Sequence, residues 1–331
     1  MKIFRFCLLG LLTLLCSCQS YQQDSGEIFH TSYHITYRHS RSLQKGIDEA
    51  LQSINQSLSM FNPHSTLSRF NQAGTEAFDL SNDSLALHLI KQGLHISKLT
   101  EGAFDMTVAP LVNLWGFGFH KSQQATQQAI DSIKDFVGYQ LLELNGSQLR
   151  KKDARVMLDA SAIAKGYACD VVAAYLESKG VSDYLVEIGG EICMQGLNSQ
   201  SKLWTVGIDK PIEDPTAMQR ELQSIMQLKD KSMATSGNYR NFYVNNGRKV
   251  AHTIDPSSGH PVQHSLLSAT VIADNCLTAD ALATSFMVMG MDRAIALLES
   301  MPQVWAYFIY SDNEGNLQTW HSPALKDFIL K

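Results

Sequence analysis

The chain has 331 residues, of which 44% are hydrophobic, so it is long enough for one large domain or two modest domains with a sizeable core. Charged residues make up 18% of the chain, and the formal net charge is −5 at pH 7. No stretch is strongly basic, which argues against nucleic acid as the main partner. A phosphate-bearing small molecule, held by a few local groups, is compatible with this composition.

The N-terminus is typical of a bacterial export segment. Two of the first five residues are basic, and the apolar run over 6–16 is too short for a transmembrane helix, which needs about 20 residues. The run ends in Leu15-Cys16-Ser17-Cys18, which resembles a lipobox with Cys18 as the acylated residue. We therefore predict a lipoprotein signal peptide over 1–17, with a lipid on Cys18 that tethers the protein to a membrane surface. An ordinary cleaved signal peptide is the alternative.

A folded domain is predicted over 28–331, preceded by a polar, flexible tether over 18–27. Hydrophobic periodicity and capping residues predict strands over 29–38, 184–188, 203–208, 225–228, 268–273 and 305–310, and helices over 43–58, 84–99, 162–178 and 278–286. Two Asn-Gly pairs, at 145–146 and 246–247, indicate hairpins. Because hairpins are mixed with helices, the predicted fold class is α+β, a single domain with mixed antiparallel sheets and packed helices.

The predicted helix near the C-terminus places a carboxylate and a hydroxyl four residues apart. Positions i and i+4 lie on one helix face, so Asp280 and Thr284 can point at one object. Apolar neighbours predict that this helix is largely buried, and a buried carboxylate is costly unless it is paired or holds a metal. Asp280 is therefore either a hydrogen-bond hub or a metal ligand.

A second candidate site is the segment 158–167, where a predicted strand ends at Asp159 and a helix begins after a few small residues. Free backbone N–H groups at such a helix start suit a phosphate, small side chains allow close approach, and Lys165 adds a positive charge. The alternative is that Asp159 only caps the helix and that Lys165 faces solvent.

Two further segments combine glycines with acids. In the segment 100–110, Asp105 either caps the next turn or belongs to a loop that grips a ligand. In the segment 184–192, the paired glycines suggest a bulge or a close backbone approach within a strand, and Glu187 and Glu191 are candidate ligands.

His252 lies at the end of a predicted strand, before a turn that contains Pro256. Histidine titrates near neutrality and can accept a proton from a hydroxyl nucleophile, so His252 is a candidate general base. A hydrogen-bonded structural role is the alternative, and His260, inside the turn, is the weaker candidate for the base.

Six segments of the chain, in order, resemble the motifs of the ApbE family of bacterial flavin transferases. The similarity runs from Thr31 to about Gly290, and the matching segments are TEGAFDMTVAPLVNLWGFG, LDASAIAKGYACD, YLVEIGGEI, ATSGNYR, HTIDPSSGHPV and TADALATSF. One departure is Phe29-His30-Thr31, where the family commonly has Met-Gly-Thr.

The resemblance implies an exported enzyme with a T-fold-related domain that binds FAD and Mg²⁺. Its implied reaction is transfer of FMN through a phosphoester bond to a Thr or Ser hydroxyl of a target protein, with release of AMP. The implied Mg²⁺ ligands are Asp280, Thr284 and the backbone carbonyl of Ala162, and the implied catalytic base is His252. The residues implied for the FAD site are Phe29, Phe61, Ala103, Phe104, Asp105, Asp159, Lys165 and Ile254.

The implied acceptors are exported flavoprotein subunits of redox pumps that carry a Thr-containing motif, and the implied location is a lipid-anchored position at a periplasm-facing membrane surface. Two other functions are open. Hydrolysis of FAD to FMN and AMP uses the same residues, with water in place of the acceptor hydroxyl. A non-catalytic FAD-binding lipoprotein needs no base, so His252, Asp280 and Thr284 together weigh against it.

Overall fold

The computed structural model describes residues 20–118, 125–212, 221–239, 242–245 and 248–330. The strands are β1 (Tyr21–Ile28), β2 (Thr31–Arg38), β3 (Phe78–Asp79), β4 (Leu142–Asn145), β5 (Gln148–Lys151), β6 (Tyr184–Ile188), β7 (Glu191–Gln195), β8 (Trp204–Asp209), β9 (Leu222–Leu228), β10 (Lys231–Gly237), β11 (Phe242–Asn245), β12 (Arg248–Ala251), β13 (Leu266–Ala273), β14 (Trp305–Ser311) and β15 (Leu317–His321). The helices are α1 (Gln44–Leu58), α2 (Thr66–Gln72), α3 (Ser84–Leu99), α4 (Ala109–Leu114), α5 (Gln127–Lys134), α6 (Ala164–Ser178), α7 (Cys276–Met289) and α8 (Met291–Glu299). Within the described ranges, no helix has the length and apolarity needed to cross a membrane.

Eight strands form one antiparallel sheet in the order β1-β2-β6-β7-β10-β13-β14-β15. The centre of this sheet is buried on both faces. Because alternate residues of a strand point to opposite sides, one strand contributes side chains to two cores. In β13, Val271 packs into the large core shared with α1, α3, α6 and α7, whereas Ile272 packs with Trp204 and Met226 of the β8–β9 hairpin. The sheet is thus the middle layer of the α+β domain.

Helix α7 lies on β10 and β13 and against α6, and most of its residues are buried. The two helices approach most tightly at Gly166, where a Cβ atom would lie 2.3 Å from the carbonyl oxygen of Cys276 and 2.7 Å from Cβ of Asp280. Asp170 of α6 also accepts hydrogen bonds from the backbone N–H groups of Cys276 and Leu277, at 2.7 and 2.8 Å. These contacts fix the position of α7 relative to α6.

The tether predicted over 18–27 is wrong from Tyr21 onward. Strand β1 pairs with β2 along its whole length, from Tyr21 opposite Arg38 to Ile28 opposite Thr31. It is an edge strand of polar composition, and its buried Asp24 accepts hydrogen bonds from the hydroxyls of Tyr37 and Ser42. The predicted signal peptide and Cys18 lie outside the described residues.

The paired glycines of the segment 184–192 form a turn between two strands and do not interrupt one strand. Ile188 ends β6 and pairs with Glu191, the first residue of β7. Gly189 and Gly190 between them have φ of +63° and +102°, a backbone conformation that side chains disfavour.

The strand predicted to end at Asp159 is absent from the described structure, where β5 ends at Lys151. The backbone near Asp159 finds partners in loops and side chains. Its N–H donates to the carbonyl of Met106 at 2.6 Å, and the side chain of Asn71 bonds to both backbone groups of Leu158. Helix α6 begins at Ala164, two residues later than predicted.

Candidate active site

Two adjoining cavities lie beside α6, and both are lined by Ser161 and Lys165. The first, of about 490 Å³, is lined mainly by apolar side chains, namely Ile28, Phe29, Ile54, Leu58, Met60 and Phe61, and is called the apolar cavity below. The second, of about 470 Å³, holds the acids and the histidine, namely Asp105, Asp159, Glu191, His252 and Asp280, and is called the polar cavity. An elongated ligand can therefore lie across both cavities and pass Lys165.

Every described residue that the family resemblance implied for the FAD site, the Mg²⁺ site or the catalytic base lines one of these cavities. Phe29 and Phe61 line the apolar cavity. The residues that line the polar cavity are Ala103, Phe104, Asp105, Asp159, Ala162, Lys165, His252, Ile254, Asp280 and Thr284. Their common location is observed, whereas their chemical roles are proposals.

Asp280 and Thr284 point into the polar cavity from one face of α7, as their spacing predicts. Asp280 is buried, and its Oδ2 accepts a hydrogen bond of 2.9 Å from the backbone N–H of Gly166. The hydroxyls of Thr284 and Ser236, a residue of β10, lie 2.9 Å apart. Asp280 is therefore a hydrogen-bond acceptor between two helices and also a cavity residue.

The candidate metal ligands at Asp280, Thr284 and Ala162 are oxygen atoms, which Mg²⁺ prefers. Within the described residues, no group of three or more His, Cys, Asp or Glu side chains is placed to hold a metal. A carboxylate, a hydroxyl and the carbonyl of Ala162 nevertheless fit Mg²⁺, because this ion keeps several waters and takes substrate phosphates as ligands instead of requiring an all-protein cage.

Lys165 faces the polar cavity and is paired, which contradicts the solvent-facing alternative. Its ammonium forms an ion pair with Oε1 of Glu191 in β7. Although burial lowers the pKa of Lys165, the negative charges of Asp280 and Glu191 raise it above its usual value. Lys165 therefore stays charged, and two carboxylates share it.

Of the two acids that are candidate ligands in the segment 184–192, Glu191 is the one that lines the polar cavity. It is buried, its Oε2 has no hydrogen-bond partner among the described residues, and burial raises its pKa above the usual range. The other candidate, Glu187, accepts a hydrogen bond from the N–H of Gly190 and pairs with His34 outside both cavities. The glycine turn separates the two acids, since it makes Glu191 the first residue of the next strand.

The two remaining acids of the polar cavity are held by local turns. Asp105 accepts hydrogen bonds from the N–H and hydroxyl of Thr107, at 2.8 and 2.7 Å, and from the N–H of Tyr139 at 2.7 Å. Asp159 accepts one from the N–H of Ser161 at 2.7 Å, and the N-cap position of α6 is occupied by Ile163. Burial raises the pKa of both acids despite these donors. Asp105 thus caps a turn and lines the cavity, whereas the helix-cap alternative for Asp159 is wrong.

His252 directly follows β12, and its ring lies edge to face with that of Phe117, with 6.3 Å between the centroids. The next residue, Thr253, donates a hydrogen bond of 2.6 Å from its hydroxyl to Oδ1 of Asn238, which fixes the backbone beside His252. His260 instead contacts Gln127 and Trp115 and does not line either cavity. The geometry therefore favours His252 over His260 as a base.

A model of the ApbE family matches residues 29–308. The chain belongs to the ApbE family. Among curated relatives, the FAD:protein FMN transferase of Vibrio cholerae (strain O395) is 38% identical over 335 residues, covering 98% of each chain. The protein of the same name from Escherichia coli K12 is 34% identical, over 89% of this chain and 84% of its own length.

Solved structures agree with this membership. The flavin transferase ApbE from Vibrio cholerae superposes with a TM-score of 0.83 at 37% identity, covering 94% of this chain and 99% of its own. The apo flavinyl transferase ApbE from Pseudomonas stutzeri superposes with a TM-score of 0.82 at 30% identity, covering 94% and 97%. The predicted family, the α+β fold class and the prediction of a flavin transferase enzyme are confirmed by these relatives.

Proposed function

We propose that this protein transfers FMN from FAD to a Thr or Ser hydroxyl of an acceptor protein and releases AMP. The observation that carries the proposal is the pair of adjoining cavities with Lys165 at their junction. FAD has a planar ring system, a diphosphate and an adenosine in line. The ring suits the apolar cavity, and the diphosphate suits the charged junction and the polar cavity.

The polar cavity supports a site for Mg²⁺ formed by Asp280, Thr284 and the carbonyl of Ala162. When bound there, the ion would neutralise charge on the diphosphate and orient it. Lys165, which lines both cavities, adds a positive charge, and its ion pair with Glu191 keeps the ammonium in place. Positioning and charge stabilisation of this kind account for most of the catalysis in phosphoryl transfer.

His252 is proposed as the general base. It takes the proton of the acceptor hydroxyl as the hydroxyl oxygen attacks the phosphorus next to riboflavin. The new bond joins the acceptor oxygen to that phosphorus, the bond between the two phosphates breaks, and AMP leaves with the electron pair on its oxygen. The proton held by His252 then passes to solvent or to the departing AMP.

The test is incubation of the mature protein with FAD, Mg²⁺ and an acceptor domain that carries a Thr motif, followed by a denaturing gel viewed for flavin fluorescence. A fluorescent acceptor band that EDTA abolishes is expected. Release of AMP without a fluorescent band would assign FAD hydrolysis instead. Bound FAD with neither product, tested against several acceptors, would leave a flavin-binding protein.

The lipobox at 15–18 supports a further part of the proposal, a lipid on Cys18 that holds the enzyme at a periplasm-facing membrane surface. Flavoprotein subunits of membrane redox pumps are the proposed acceptors, since they would meet the enzyme at that surface. Replacement of Cys18 by Ala is expected to move the protein from the membrane fraction to the soluble fraction, and an unchanged membrane fraction would contradict the anchor.

A further inference from the structure

The turn between β1 and β2 has an unusual backbone for its residues. Ile28 pairs with Thr31, so the turn consists of Phe29 and His30 alone. Their φ angles are +53° and +59°, as a two-residue hairpin turn requires at both positions. Non-glycine residues rarely adopt this left-handed conformation, because the Cβ atom approaches the carbonyl oxygen; asparagine, aspartate and histidine do so more often than others, and a bulky residue such as Phe29 does so least.

Among the described residues, Glu101, Ser201 and Asp230 also have positive φ without being glycine, but the hairpin beside this turn uses glycines. The turn of the neighbouring β6–β7 hairpin is Gly189-Gly190, and the N–H of Gly189 donates to the carbonyl of Ser32 in β2 at 3.0 Å, so the two turns lie side by side. The β4–β5 turn contains Gly146 with φ of +59°. Strain kept at this turn and avoided at the hairpin beside it points to a use for the two side chains.

Both side chains line the apolar cavity. The ring of His30 lies edge to face with that of Phe61, with 5.6 Å between centroids and 69° between planes. Phe61 is 68% exposed, although a phenylalanine gains free energy by burial. The imidazole therefore packs against the phenyl ring beside the apolar cavity, and much of the phenyl surface stays accessible to a ligand.

We propose that His30 is a positioning residue for the flavin ring of FAD, which it serves by holding Phe61 in the orientation that packs on that ring. The inference rests on the proposed function, because it takes FAD as the occupant. A planar tricyclic ring matches an aromatic wall, and the cavity continues past Lys165 to the polar cavity, where the diphosphate would lie.

The decisive variant is His30→Gly, because it separates strain from contact. Glycine adopts the turn without strain, so the melting temperature is expected to stay equal or rise. Loss of one aromatic contact is expected to weaken FAD binding roughly two- to tenfold. Binding of ADP, which lacks the flavin ring, should not change, and the FAD concentration needed for half-maximal transfer should rise by the same factor as the dissociation constant of FAD.

Three further variants separate the effect of the ring from the effect of the turn. His30→Phe should restore FAD affinity, since it returns a ring to the same position. His30→Asn, which tolerates positive φ, should repeat the weakening with the turn preserved. Ser201→Gly, at an exposed position with φ of +57° outside both cavities, should relieve strain without changing FAD affinity.

Equal FAD affinity in the unaltered protein and His30→Gly would overturn this inference and leave the proposed function intact. An equal loss of FAD and ADP affinity would also overturn it, since His30 would then act on the whole site. Because the binding measurements need neither acceptor nor turnover, an inactive protein that binds FAD contradicts only the transferase. Absence of FAD binding by the unaltered protein would overturn both.

Discussion

Two histidines among the described residues line the cavities: His30 lines the apolar cavity and His252 lines the polar cavity. A base acts on the acceptor hydroxyl and not on FAD itself, so its loss should separate binding from chemistry. His252→Ala is expected to lower the transfer rate by roughly 10²-fold or more while FAD affinity changes little. Flavin fluorescence on the acceptor and FAD binding are measured on the same preparation. His260→Ala is the matched control and should transfer at the rate of the unaltered enzyme, and equal rates for both variants would remove the role of His252.

The ammonium of Lys165 compensates the negative charge of two buried carboxylates, so its loss should lower the stability of the protein. Lys165→Met leaves Glu191 and Asp280 facing each other without a cation, so in EDTA the free energy of unfolding is expected to fall by about 3 kcal/mol. Adding Glu191→Gln to that variant should recover most of the loss, because one of the two charges is gone. Urea unfolding of the four combinations measures the coupling.

The control for this cycle is Lys152→Met, which breaks an exposed ion pair with Glu143 and should cost less than about 1 kcal/mol. A fall of the same size in Lys165→Met and Lys152→Met, or no recovery in the double variant, would show that the shared ammonium does not stabilise the cavity.

At the scale of elements, the contact between α6 and α7 depends on Gly166. A Cβ atom there would lie 2.3 Å from a backbone oxygen, and backbone cannot move away as a flexible side chain can. Gly166→Ala is therefore expected to destabilise the protein by about 1–3 kcal/mol and to push Asp280 out of place, which raises the Mg²⁺ concentration needed for half-maximal transfer. Gly180→Ala is the control, because Gly180 has a φ of +80° and a Cβ atom there would have no neighbour within 4 Å. This variant strains the backbone but creates no clash, so the Mg²⁺ requirement should not change.

Sequence patterns predicted the elements whose signals are local. Helix α3 over Ser84–Leu99 and the β4–β5 hairpin at Asn145-Gly146 follow from a capping residue and a turn pair, and both are confirmed. Strand β1 was missed because an edge strand that buries only Asp24 fully has the polar composition of a tether. Strand β7 was missed because two glycines are compatible with either a bulge or a turn, and only pairing with β6 decides between them.

The candidate site was predicted in most of its residues through the family motifs, but not in its electrostatics. No pattern along the chain shows that Lys165 and Glu191, which lie in different elements, form an ion pair at the junction of the two cavities. The turn at Phe29-His30 also carries no signal of its backbone strain, because aromatic residues do not indicate positive φ. Both features depend on how the sheet brings distant segments together.

At the scale of the whole molecule, the anchoring of α7 should make stability depend on pH. Burial raises the pKa of Asp170 from 3.8 to about 6, although two backbone N–H groups oppose the rise. The folded state thus binds a proton more tightly than the unfolded state, and this contribution to stability is present below about pH 4 and is lost as the pH rises to about 6. Relative to Asp170→Asn, the unaltered protein should lose on the order of 2 kcal/mol across that window.

The measurement is urea unfolding of both proteins at a series of pH values. Asp153→Asn provides a control of opposite sign, because hydrogen bonds from Arg155 lower the pKa of Asp153 to about 2, so that its contribution is lost as the pH falls. A flat difference between the unaltered protein and Asp170→Asn from pH 4 to pH 6 would contradict the role of Asp170.

Strand β1 begins at Tyr21, and only two residues of the chain separate it from Cys18. Three Cα–Cα steps reach at most roughly 11 Å. With a lipid on Cys18, the edge of the large sheet would therefore be held close against the bilayer. The enzyme would search a plane and not a volume, and an acceptor embedded in the same membrane would meet it by lateral diffusion, whereas a long linker would be needed to serve acceptors far above the surface.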